Sequence, residues 1–118
     1  MFMNKTVKKL EKNLIRALTS ACEQLKQDVV GFDWLTHTAN YANFPNSLVV
    51  RCVFDTEQNL ESAKLAAQDA LMIKRIHSAL LNAGILLKMP KQHVVFDTEE
   101  ACAREHQGDW NKRINYAH

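Results

Sequence analysis

Glycine and proline are scarce in this chain, three and two among 118 residues. That scarcity excludes collagen-like and linker-rich architectures and leaves room for long uninterrupted helices. Cysteine is scarce too. Cys22, Cys52 and Cys102 are odd in number, far apart and free of any CxxC pair, so neither a zinc ribbon, a dithiol redox centre nor a disulfide framework is expected. They read as buried thiols of a reducing compartment. No window approaches the ~20 apolar residues of a membrane span, and the opening MFMNKTVKKLEKNL is charged and has no apolar h-region. A cytoplasmic location without membrane contact is the expectation. An excess of one charge is also missing: fifteen Lys and Arg face thirteen Asp and Glu, a net +2 that implies no polyanion partner by itself. There is no P-loop, GxGxxG turn or HExxH helix, no two histidines share a helix at i and i+4, and no cofactor is expected.

What is present is an ordinary apolar fraction of 47%, enough for one domain spanning residues 1–118. A chain of this length buries roughly two thirds of its unfolded surface without help from a metal or a disulfide. From Asn4 to about Asp28, Val7, Leu10, Leu14, Leu18, Ala21 and Leu25 recur every three or four residues and predict an amphipathic helix. After Gly31, Phe32, Trp34, Thr36 and Thr38 alternate with Asp33, Leu35, His37 and Ala39, as in a strand; NYANFPNS then reads as a loop. LVVRCVF, Leu48 to Phe54, predicts a second strand, antiparallel to the first and covered on much of both faces. Glu57 to about Ala83 lacks Gly and Pro and predicts one long helix ended by Gly84. ILLKM and QHVVF around Pro90 and Lys91 suggest a hairpin, or one strand after an extended linker. A last helix is expected to start after Asp97 and run to about His106, with Trp110 in a tail that docks or frays. The expected fold class is α+β, in the order α-β-β-α-β-β-α, with a three- or four-stranded, largely antiparallel sheet and packed helices.

VFDTE occurs twice, at Val53–Glu57 and Val95–Glu99. In each copy a strand runs into Asp and Thr, with Gln58 or Glu100 three positions after the Asp, the spacing of a capping box. Asp55 and Asp97 are therefore expected as helix caps. The alternative makes them a metal pair: if the two strands are parallel neighbours, both carboxylates leave the sheet at one end and could hold magnesium for phosphoester hydrolysis, with His93 or Glu57 assisting. No catalytic residues are assigned, and an enzyme is not the favoured class.

Two other sets merit attention. Trp34, His37 and Tyr41 combine aromatics and a histidine beside a polar loop, which suits a small-ligand pocket or a protein interface, although aromatics on a short strand are more often core. Lys5, Lys8, Lys9, Lys12 and Arg16 cluster opposite the apolar stripe of the first helix, a basic surface for nucleic-acid phosphates or an acidic partner, or simply a solvated face. The expected function is a non-enzymatic binding or regulatory module for a protein partner, a second copy of the chain or a small ligand. Weak nonspecific nucleic-acid contact through the basic helix, as in a transcriptional regulator, is the alternative.

GFDWLTHTANYANFPNSLVVRCVFDT and MNKTVKKLEKNLIRAL resemble a group of small uncharacterised bacterial proteins, some of them designated Fis family transcriptional regulators. The resemblance covers most of the chain. It implies DNA reading by a C-terminal helix-turn-helix, for which the nearest stretch is ALMIKRIHSALLNAGILLK, Ala70 to Lys88. Lys74 to Ser78 contains no turn residue, however, and predicts an unbroken helix there.

Overall fold

The apolar stripe of the first segment becomes helix α1 (Lys5–Asp28) in a computed structural model that describes residues 5–116. Leu14, Leu18, Ala21 and Leu25 are its buried face. The expected start at Asn4 falls outside the described residues. Gly31 then turns the chain with φ +85°, and its carbonyl accepts the Asp55 N–H at 2.9 Å. A side chain is barred there twice over: the dihedral is left-handed, and an added Cβ would stand 2.5 Å from the Cβ of Asn59.

Strand β1 (Phe32–Thr38) pairs antiparallel with β2 (Val49–Phe54), as expected, and β2 pairs with β3 (Val94–Thr98). The second pairing is parallel. The sheet is thus mixed, in the order β1-β2-β3, and the largely antiparallel expectation is corrected. The physical reason lies in the connection, since α2 (Glu57–Leu65) and α3 (Gln68–Asn82) occupy the segment between β2 and β3 and carry the chain back to the starting end. Residues 85–89 form no strand. Ile85 and Leu87 are buried and Leu86 and Lys88 exposed, a strand-like alternation without a ladder partner, and a 3-10 turn at Pro90–Gln92 leads into β3. The hairpin expectation gives way to the extended linker.

The predicted long helix also divides. Ala67 adopts φ 58° between α2 and α3, a break that neither Gly nor Pro announces. Lys74 to Ser78 lie inside the uninterrupted α3, so the Ala70–Lys88 stretch has no helix-turn-helix bend at that point. After β3 come α4 (Glu99–His106) and α5 (Trp110–Tyr116); the tail docks.

The main core joins α1 and α3 to one sheet face through Leu14, Leu25, Leu48, Val50, Phe54, Met72, Ile76 and Leu80, all at 0% exposure, with Ala63 of α2 buried beside them. A register shift between Phe32 and Trp34 changes the parity of β1. Phe32 therefore joins Leu35 on the core side, 5.9 Å from the Phe54 ring, while Trp34 meets Trp110 edge-on at 4.9 Å on the other side. Without that bulge, strict alternation would have put Phe32 and Trp34 on the same face. Among the described residues no helix is long and apolar enough to cross a membrane.

Candidate functional site

The repeated VFDTE has a local explanation, displaced by one residue from the expected one. Thr56 and Thr98, not the aspartates, are the N-caps of α2 and α4: their hydroxyls accept from the Asn59 and Ala101 N–H at 3.1 and 2.9 Å. Each aspartate accepts instead from the next residue's N–H, at 2.6 Å for Asp55 and 2.8 Å for Asp97. The Glu100 carboxylate accepts the Glu57 N–H at 3.0 Å, and Asp55 C=O accepts the Glu100 N–H. Parallel neighbours thus present two helix starts side by side, and their free N–H groups share acidic partners.

Beyond the shared turn the two aspartates part company. Asp55 is exposed and accepts from the Asn59 amide at 2.9 Å. Asp97 is buried between two arginines: Arg113 donates through Nε and Nη2 at 2.7 and 2.8 Å, and Arg51 through Nη1 at 2.9 Å. Burial alone would raise the Asp97 pKa, but the Arg113 and Thr98 bonds and the two positive charges outweigh it and hold the carboxyl below its ordinary value. Arg113 is correspondingly held protonated, its pKa raised by the bonds it donates to Asp97 against the penalty of burial. Both Asp97 oxygens are committed to guanidinium groups, so the two aspartates do not form an open carboxylate pair. Among the described residues no cluster of three or more His, Cys, Asp and Glu side chains is arranged to hold a metal. This Arg51–Asp97–Arg113 clasp went unforeseen because its members lie 46 and 16 positions from Asp97.

A more open arrangement lies along β1, which is an edge of the sheet. Between it and α1 runs a groove of about 360 Å³, walled by Ile15, Thr19, Cys22, Glu23 and Lys26 of the helix and by Asp33–His37 of the strand. Trp34 and His37 share this groove; Tyr41 does not line it and stacks on Phe44 at 5.4 Å. In an antiparallel pair every second residue turns its N–H and C=O away from the partner strand. Leu35 is one of these, because its N–H is directed at the Cys22 thiol, a weak acceptor. His37, two residues on, shares that orientation by period. Burial lowers the His37 pKa against the pull of Glu11, which favours a neutral ring at neutral pH. Burial likewise raises the Cys22 pKa, the Leu35 N–H and Lys26 opposing it, and pushes Cys52 up to about 12. The thiols are therefore protonated and poorly nucleophilic.

The basic set occupies the crest of α1. Lys5, Lys8, Lys9, Lys12 and Arg16 are all exposed, on the side opposite Leu14, Leu18, Ala21 and Leu25. On the flank away from β1 a second groove of about 600 Å³ separates α1 from α3, with Arg16 and Arg75 on its walls. Comparison of the chain with protein-family models, with curated proteins and with solved structures finds no match.

Proposed function

We propose that the chain is a non-enzymatic binding module that takes an extended segment of a partner protein as a fourth strand, laid along β1 in its groove with α1. The observation that carries this reading is the place of β1 as an edge strand paired with β2 on one side, its Leu35 N–H turned away from β2 on the side of the Cys22 thiol. A carbonyl of an incoming strand is the better partner, and main-chain bonds of this kind supply the affinity in strand addition. The walls supply selectivity: Ile15 and Leu35 offer apolar surface, while Glu23, Lys26, Asp33 and His37 offer polar contacts. β1 contains neither Lys nor Pro, and its bulge lies at the Phe32–Trp34 end, before Leu35 and His37.

The test is selection of a random peptide library on the immobilised full chain, followed by hydrogen exchange. Selected peptides should slow exchange at the Leu35 and His37 amides. They should bind the His37→Pro chain at least ten-fold more weakly, since proline on an open edge removes an outward N–H while leaving the β2 ladder intact. Thr19→Arg, which fills the groove from an exposed helix position, should weaken binding without affecting the strand. Peptides indifferent to both variants, or strong protection of the Leu35 and His37 amides in the free chain, would refute strand addition.

A further inference from the structure

The crest of α1 and the groove it shares with α3 have no part in strand addition, and their chemistry points to a different ligand. At about 100° per residue, Lys5, Lys8, Lys9, Lys12 and Arg16 fall within an arc of roughly 100° and extend along about 16 Å of helix. Among the described residues none of the five takes part in an ion pair. That matters most for Arg16, because the other four arginines, Arg51, Arg75, Arg104 and Arg113, are all paired with carboxylates. Arg16 also stands on the wall of the α1–α3 groove, where Asn13, Ser20, Gln24, Ser78 and Asn82 add amide and hydroxyl groups over small Ala side chains.

We infer that this surface binds the phosphate backbone of duplex nucleic acid, with Lys5, Lys8, Lys9 and Lys12 on the crest and Arg16 reaching the phosphates that border the groove. Lysine, arginine, amide and hydroxyl groups are the side chains that position a protein on phosphates. Over 16 Å a duplex presents about nine phosphate charges, more than enough for five cations. A partner helix is the poorer fit, because helix-in-groove recognition needs apolar anchors and the apolar lining here consists of Ala17, Ala21, Ala79 and Ala83. Single strands are disfavoured as well, since no aromatic ring lines the groove for bases to stack on. Four of the five cations are lysines on an open crest, placed for phosphate rather than base edges, so binding through them is independent of sequence.

The experiment is fluorescence anisotropy of a labelled 20-base-pair duplex of random sequence with the full chain, over 50 to 200 mM salt. Five phosphate contacts give a slope of log K against log salt of about −4.5, so the affinity falls roughly 500-fold over that range. The Lys8, Lys9 and Lys12→Gln triple variant should flatten the slope by about 2.7 and Arg16→Gln by about 0.9, while the corresponding Lys→Arg triple keeps the slope. All these positions are exposed, and a circular-dichroism melt confirms that each variant is folded. Absence of binding at 50 mM salt, or an unchanged slope in the Gln triple, overturns the inference. So does competition by polyglutamate as effective, charge for charge, as unlabelled duplex, which would assign the surface to an acidic protein, and so does sequence-selective binding that tolerates salt.

Discussion

Two aspartates in identical local sequence carry very different energetic weight, because the sequence fixes only their immediate turn. Asp55 and Asp97 each accept the N–H of the following threonine, but Asp97 also compensates two guanidinium groups whose side chains are only 11% and 14% exposed. Removing one member of a buried charge group leaves the others desolvated and unpaired, at a cost of about 3–5 kcal/mol. Asp97→Asn is therefore expected to lose about that much in urea unfolding, whereas Asp55→Asn, at an exposed site, should lose less than about 1 kcal/mol. Equal losses at the two sites would show that the clasp contributes no more than the turn. The caps themselves are the threonines, and Thr56→Ala or Thr98→Ala should each cost about 1 kcal/mol by the same measurement.

Helix α1 and strand β2 were legible because their signals are periodic: one stripe at three- and four-residue spacing, and one short β-branched run. The division between α2 and α3 was not, since Ala66 and Ala67 favour helix by intrinsic propensity and only the packing of Ala63 and Met72 into one core demands a bend between them. That conflict makes a prediction. Ala67 is exposed and holds φ 58°, a conformation costing an L-residue about 1–2 kcal/mol. Ala67→Gly is expected to stabilise the chain by about 0.5–1 kcal/mol after the added freedom of the unfolded glycine is subtracted. A loss in the chemical-denaturation midpoint would mean that the Cβ makes a contact worth more than the strain. Residues 85–89 misled for a related reason: the alternation of Ile85, Leu86, Leu87 and Lys88 reports burial on one side, and burial does not require a ladder partner. As for the groove, the alternation from Phe32 to Ala39 placed Trp34 and His37 on a strand. Their separation from Tyr41, and the outward direction of the Leu35 N–H, depend on the pairing register, which one bulge controls.

At the scale of the molecule, the sheet has a main core on one face and a smaller closure by α4 and α5 on the other, fastened by the Trp34–Trp110 contact and the Asp97 clasp. The closure makes acid stability depend on the last helix. Asp97 has its pKa lowered in the folded chain, so the unfolded chain binds more protons over the window below about 3.8, the ordinary value. The stabilisation is fully present above that window and is lost as pH falls through the folded pKa. Truncation after Gly108 removes Trp110 and Arg113, leaving Arg51 as the remaining charged partner of Asp97. The Arg113 bonds and charge that held the carboxyl low are then lost, and the folded pKa rises toward its ordinary value. Urea titrations between pH 2 and 7 should show the full chain losing the Asp97 contribution as pH falls below about 3.8, and the truncated chain less stable throughout with its acid limb moved to higher pH. Arg113→Met, which keeps Trp110 in place, should move the acid limb in the same direction with a smaller loss at neutral pH. If the acid limbs of all three chains coincide, some carboxylate other than Asp97 governs acid unfolding, and the closure by α5 is a matter of apolar packing alone.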